Sequence, residues 1–286
     1  MYLNHVATTD VECSKPPTKA GLLRKRSKRF VATLMAICAI LMAQGALAQA
    51  NEEDPTLIGV GLRVRPAYEG ADANRVDLIP VLRIYRGPWF ARTTQGKLEG
   101  GGRIALARGL VLGGQIAYEG GRVADESAFL KSNRVPDLDP GLSVGLHIEY
   151  DTKIGIAPLS ALARIRQHLD SDRGAEADFR VTIGVLDKGG FNAGAFGQLT
   201  VSDGSEMRGY YGVSPSLAAN SGRAVSLPGP GARVMAGGVL GSYDLGRRWL
   251  LVGSAELRRM IGEAASSPLV RDKNNAYLSI GVAYKL

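Results

Sequence analysis

The chain has 286 residues, of which 45% are hydrophobic and 22% charged, with a mean hydropathy of −0.01. That average excludes a bundle of transmembrane helices, which needs repeated apolar runs of about 20 residues, and the ordinary apolar content excludes wholesale disorder. The formal charge of +8 points to a nucleic-acid partner only until the N-terminus is considered.

Residues 22–29 form a basic cluster, residues 30–43 an apolar run broken only by Thr33, and Ala46-Leu47-Ala48 a small-residue site. This three-part order predicts a secretory signal peptide over residues 1–48, cut between Ala48 and Gln49. The run is short for a membrane-spanning helix. Without the leader, 28 basic and 25 acidic residues remain, a net of +3. A nucleic-acid partner thereby loses its support. Cys13 and Cys38 leave with the leader, so disulfides, thiol catalysis and cysteine-bound metals are not expected in residues 49–286. Exported protein without disulfides needs another source of stability, and a closed barrel is one.

From Gln49 onward the sequence alternates with period two. Leu142, Val144, Leu146, Ile148 and Tyr150 fall on one face of a strand; Ser143, Gly145, His147 and Glu149 fall on the other. Twelve such segments follow in order: 57–68, 75–85, 89–96, 98–106, 110–120, 142–151, 154–168, 175–187, 191–203, 231–244, 248–261 and 276–286. The 37 glycines, roughly twice the usual share, suit the turns between them. Short connections centre on Arg86-Gly87-Pro88, Ala107-Arg108-Gly109, Asp151-Thr152-Lys153, Lys188-Gly189-Gly190 and Leu245-Gly246-Arg247. Long ones span 121–141, 204–230 and 262–275. If the strands run up and down in order, every long connection falls at one rim, the pattern of an outer-membrane barrel with short periplasmic turns and longer extracellular loops.

Alternation alone does not say which face is inside, because a soluble sandwich alternates as well. Export, the uneven loops and a last strand ending Val282-Ala283-Tyr284-Lys285-Leu286 favour a membrane barrel. This ending resembles the C-terminal signal read by the barrel-assembly machinery, with Leu in place of the usual Phe. The expected fold is therefore all-β, an antiparallel up-and-down transmembrane barrel of twelve strands set in outer-membrane lipid. The polar face then points inward with Arg63, Arg65, Arg83, Arg103, Arg164, Arg166, Arg180, Arg233 and Arg258, and with Asp77, Glu99, Glu119, Glu149, Asp178 and Glu256. Such a set can filter anions in an open pore or pair internally as a plug.

Three patches carry a family resemblance. They are Tyr68-Glu69-Gly70 after the first strand, Tyr210-Tyr211-Gly212-Val213-Ser214-Pro215 in the longest loop, and the segment before the last strand that contains Ser267 and Pro268. In these patches the chain resembles the MipA/OmpV family of outer-membrane proteins. The resemblance implies a barrel and, among the family's different roles, a scaffold joining a lytic murein transglycosylase to a murein synthase, or a porin-like channel. A scaffold would use the short-turn rim, where Arg86, Arg108, Lys153, Lys188, Arg247 and Arg248 are expected; the plainer role for such cations is contact with lipid phosphate or solvent.

A barrel hydrolase would need Ser, His and a carboxylate within reach. His147 and His168 are the histidines after residue 48; His147 has Glu149 and Ser143 on its own face, but that face is the lumen rather than the lipid wall. His168 ends a strand and is expected in a loop beside Asp170 and Ser171. No cofactor, metal-ligand spacing or phosphate loop is expected.

Overall fold

In the computed structural model, residues 55–170 and 173–286 are described. The expected leader and its Ala48–Gln49 cleavage point lie outside the described residues. Twelve antiparallel strands close into one barrel, each beside its sequence neighbours and the first beside the last. They are β1 (Leu57–Pro66), β2 (Asn74–Arg86), β3 (Trp89–Thr94), β4 (Lys97–Ala107), β5 (Leu110–Glu119), β6 (Gly141–Ile154), β7 (Ala157–His168), β8 (Ala175–Lys188), β9 (Phe191–Ser202), β10 (Gly231–Asp244), β11 (Trp249–Met260) and β12 (Asn274–Lys285). Closure through the β1–β12 ladder pairs the two terminal strands that an open sheet would leave as edges.

One turn differs from the sequence reading. Strand β6 runs on through Asp151, Thr152 and Lys153, with Lys153 paired opposite Pro158, and the chain reverses at Gly155-Ile156 instead. Gly155 has φ +61°, the left-handed conformation that favours glycine, so the reversal goes where the backbone can take it at no steric cost. Lys153 is therefore an exposed ladder residue beside the rim rather than a turn residue.

Exposure identifies the solvent of the outer wall. In β8, Phe179 is 52% exposed while the adjacent Asp178 is 3% exposed. In β1, Ile58, Val60, Leu62 and Val64 face out, as do Val76 and Leu78 in β2 and Leu278 and Ile280 in β12. Charged groups inside and aliphatic groups outside invert the pattern of a water-soluble protein, and the outer surface matches hydrocarbon. The protein is a membrane barrel.

The two rims are unlike. At one, each reversal takes two to four residues: 87–88, 108–109, 155–156, 189–190 and 245–248. At the other lie the segments 120–140, 203–230 and 261–273, together with 67–73, 169–170 and 173–174. The long segments form short helices: α1 (Ala128–Ser132), α2 (Gly204–Tyr211) and α3 (Pro215–Ser221). Asp203 caps α2 by accepting from Glu206 N at 2.8 Å. Ser214 caps α3 by accepting from Leu217 N at 3.2 Å, Pro215 opens it, and Gly222 ends it at φ +68°. Four loops share one apolar core over the mouth, built from Ala67, Tyr68, Leu130, Val135, Val213, Leu217 and Leu269. The barrel is thus capped by a packed layer rather than by loose loops.

The β3–β4 hairpin is much shorter than its neighbours. Its ladder with β2 covers only Arg83–Arg86 against Trp89–Arg92. The hairpin turns at Gln95-Gly96, with φ of +53° and +76°. Two consecutive positive φ values fit the tight primed turn that matches strand twist.

Candidate functional site

The lumen is crossed by ion pairs. Glu99 of β4 accepts from Arg92 of β3 at 2.6 Å and from Arg164 of β7 at 3.0 Å. Arg164 also reaches Asp178 of β8 at 2.8 Å. Arg166 pairs with Glu176, with Asp178 at 2.9 Å and with Glu119 at 3.3 Å. Glu176 further takes Lys97 at 3.1 Å and Arg233 of β10 at 2.5 Å. Arg164–Glu99 and Lys97–Glu176 join strands three and four apart around the wall, so these two bonds run through the interior, while the Arg92–Glu99, Arg164–Asp178 and Arg166–Glu176 pairs lie between neighbouring strands. Charges this deeply buried are tolerated because they are shared among several groups of opposite sign; removing one leaves an uncompensated ion.

The β3–β4 hairpin tip extends the network across the barrel. Gln95 Nε2 donates to Gln198 Oε1 of β9 at 2.8 Å, and Arg63 Nη1 of β1 donates to the Gln95 carbonyl at 2.8 Å. Glycine at position 96 permits this, since a Cβ there would lie 1.8 Å from the Arg63 guanidinium. The tip therefore lies in the lumen and joins β1 to β9.

Above this network the three motif patches meet. The Tyr68 hydroxyl donates to the Leu269 carbonyl at 2.9 Å, and Gly70 N donates to Asn275 Oδ1 at 2.7 Å. Ser267 Oγ donates to the Tyr211 carbonyl at 2.6 Å. The Tyr211 hydroxyl donates to Glu69 at 2.7 Å, and Glu69 also takes Arg233. Val213 is fully buried in the cap core, while Gly212, Ser214 and Pro215 form the α2–α3 junction. Pro268 lies in the same segment as Ser267, held against Tyr68 by the Leu269 carbonyl. A Cβ at Gly212 would lie 2.3 Å from the Arg208 carbonyl, so the junction requires glycine by close approach. Burial, with the neighbouring Glu69 carboxylate next, holds the Tyr211 hydroxyl well above its usual range, so it remains a neutral donor.

A cavity of about 700 Å³ lies under this cap. Its wall includes Glu206, whose carboxyl is pushed up to about 8 by burial first and by the nearby Glu176 carboxylate second. His168 Nε2 stands 3.6 Å from Glu206. His168 is 3% exposed and ends β7 inside the mouth, which corrects the expectation of a loop residue. Glu206 was not singled out from sequence, although Asp203 three residues before it marks a helix start. The deep charged set around Glu176 was likewise missed in part, because Lys97 and Glu176 are brought together only by barrel closure.

The remaining lumen charges take local partners. Arg63 and Arg65 both reach Asp77. The Arg103 guanidinium lies over the Tyr85 ring at 4.0 Å and that of Arg180 over Phe196 at 3.6 Å. Arg83 lies in β2, half-buried. Glu149 pairs with Arg92 at 2.7 Å, and Glu256 with Arg258 at 2.6 Å. His147 packs edge-on against Phe90 at 5.5 Å with Nε2 3.8 Å from Glu149, whereas the Ser143 hydroxyl donates to Glu119 at 3.0 Å. Serine and histidine on one strand face are thus engaged by different carboxylates. Arg86, Arg108, Lys188, Arg247 and Arg248 are exposed at the short-turn rim, with Lys153 just above it. Acidic Asp151, Asp187 and Asp244 share that rim, and Lys285 pairs with Asp244.

No characterised protein matches the sequence significantly. Among solved structures, the NanC porin is 12% identical, covering 81% of this chain and all of that one, with a TM-score of 0.45. LpxR from Salmonella typhimurium is 8% identical over 80% of this chain and all of its own, also at 0.45. An outer membrane channel from Pseudomonas putida F1 is 11% identical over 83% of this chain and all of its own, at 0.40. The family model described as MltA-interacting protein MipA matches residues 58–286, the barrel from β1 to the C-terminus. With its motif patches gathered into one cap and its barrel matched from end to end, the chain belongs to the MipA family.

Proposed function

We propose that this protein is a non-enzymatic outer-membrane barrel that docks a murein-remodelling enzyme at its short-turn rim, which faces the periplasm. The partner class is a lytic murein transglycosylase, in keeping with the family's description as MltA-interacting, with a murein synthase as a second partner on the same platform. The observation that carries this reading is the filling of the lumen. Glu99 of β4 pairs with Arg164 of β7 and Glu176 of β8 with Lys97 of β4, both through the interior, and four loops share one apolar core over the mouth. A barrel filled in this way favours work at its surface over transport through its axis. At the periplasmic rim, Arg86, Arg108, Lys188, Arg247 and Arg248 stand clear of the wall, where a ring of cations steers an acidic partner surface.

Pull-down of envelope proteins on the purified barrel tests the proposal. Wild type is expected to retain a lytic transglycosylase, and Arg247→Glu with Arg248→Glu to lose it while the barrel still shows heat-modifiable gel mobility. Retention by the charge-reversed barrel would assign these cations to lipid headgroups and remove the docking surface.

A further inference from the structure

The wall of the barrel is incomplete on one side. Between Asn74 and Leu82, nine residues of β2 have no strand partner on the β3 side, because that ladder begins only at Arg83. In an antiparallel strand every second residue turns its N–H and C=O to a given side. Among the described residues no backbone group meets them there. Hydrocarbon offers an open edge no hydrogen-bond partner, so such an edge survives in a membrane only beside water or a polar occupant.

The cavity beneath the cap supplies that polar space and reaches through the gap. Its lining includes outward, lipid-facing residues, namely Val76, Leu78 and Pro80 of β2, Leu98 of β4 and Tyr118 of β5. It also includes the inward Arg63, Arg65 and Arg75. One space is therefore apolar where it meets the membrane and cationic where it enters the lumen.

The three arginines are short of acid. All of them share the single carboxylate of Asp77: Arg63 at 3.1 Å, Arg65 at 2.5 Å and Arg75 at 2.7 Å. Arg75 also reaches Glu126. Among the described residues these three cations pair with two acids, and the buried Nε of Arg63 has no hydrogen-bond partner. Guanidinium groups present forked donors that match phosphate oxygens, and in a water-poor site such bonds are strong.

We infer that the gap between β2 and β3 admits a phosphate-bearing lipid from the surrounding leaflet, which seats its headgroup on Arg63 and Arg75 and keeps its chains against Leu78 and Tyr118. A cavity of about 700 Å³ takes a headgroup and its first chain carbons, while the tails remain in the membrane. The lipid phosphate then supplies the acid that Asp77 and Glu126 leave wanting, and the headgroup satisfies the open edge of β2. This site is independent of the periplasmic rim, so the two proposals stand or fall separately.

Tryptophan quenching reads the occupant directly. Leu78→Trp is placed on a Trp89→Phe, Trp249→Phe background in phosphatidylcholine vesicles doped with chain-brominated phosphatidic acid or, in parallel, with brominated phosphatidylcholine. Leu257→Trp on β11, at a position 70% exposed to lipid, is the control. The expected result is several-fold stronger quenching of residue 78 by phosphatidic acid than by phosphatidylcholine, with no such preference at residue 257. The preference should vanish in Arg63→Gln with Arg75→Gln and return in Arg63→Gln alone or with Arg75→Lys, each checked for folding by gel mobility. Free phosphate carries no bromine and is silent in this assay. Equal quenching by both lipids at residue 78, or a preference that survives loss of both arginines, would overturn the site.

Discussion

The Tyr211 hydroxyl donates to Glu69 at 2.7 Å across 142 residues of sequence, tying the longest loop to the end of the first strand. Arg233 holds the same carboxylate and, through its other nitrogen, Glu176 in the lumen. Cap and ion network are thereby one hydrogen-bonded body. Removing the hydroxyl while keeping the ring tests this link. Tyr211→Phe is expected to lower unfolding stability by about 1.5–3 kcal/mol, the range for a hydrogen bond to a charged group. The urea midpoint of the refolded barrel measures it, and a midpoint equal to wild type would mean that Arg233 alone holds Glu69.

Glu176 accepts three cations, from β4, β7 and β10. Glu176→Ala leaves Lys97, Arg166 and Arg233 short of their common acid and is expected to cost about 3–5 kcal/mol, as breaking a buried pair does. Glu256→Ala should cost less, because among the described residues Glu256 forms one ion pair, with Arg258. The same urea titration compares the two, and a reversed order would place the stabilising centre elsewhere in the lumen.

Glu206 gives the cap a pH dependence. Its folded pKa of about 8 lies above the ordinary carboxylate value. Burial and Glu176 raise it, against the opposing pull of Arg233, Lys97 and Arg173, while His168 faces it from β7. A raised acid pKa means that the folded form holds the proton more tightly. Its stabilising contribution is full below the unfolded pKa and is lost as pH rises through about 8. Limited trypsin digestion at Arg208 and Arg223 should be slow at mildly acidic pH and faster at alkaline pH. Glu206→Gln should flatten that dependence; an unchanged profile would assign the effect to another group.

The hairpin tip is the simplest element to remove from the lumen. Gln95→Ala with Lys97→Ala deletes the links to Gln198, Glu119 and Glu176. Wild type is expected to be silent in a planar bilayer and the double variant to show steady steps. Steady anion-preferring steps from wild type would instead make the inward arginines a filter and restore the porin-like alternative.

Much of the fold was legible in the sequence because a strand repeats every two residues. The alternation of Leu142 to Tyr150 needs no tertiary information, and glycine-bearing turns mark where each hairpin ends. The exception at Asp151-Thr152-Lys153 shows the limit. Polar residues resemble a turn, but the ladder continued until Gly155 offered a positive φ. Helices α2 and α3 carried local signals in Asp203, Ser214-Pro215 and Gly222, yet their short length hides any period.

The site was less legible because its parts are distant in the chain. Tyr68, Tyr211 and Ser267 stood out as separate patches, and nothing in their spacing says that they touch. Lys97 and Glu176, or Gln95 and Gln198, face each other only when the β3–β4 hairpin meets β8 and β9 inside a closed wall.

By itself the sequence determined the period, the strand count and the asymmetry of the connections, since these follow from local backbone geometry and short-range turn chemistry. Only the tertiary structure decided that Phe179 faces out and Asp178 in, that Glu99 and Glu176 find Arg164 and Lys97 through the interior, and that the wall opens beside Leu78. The reason is physical: alternation fixes two faces of a strand, whereas closure of the sheet selects which of them meets hydrocarbon and which charges come within reach of one another.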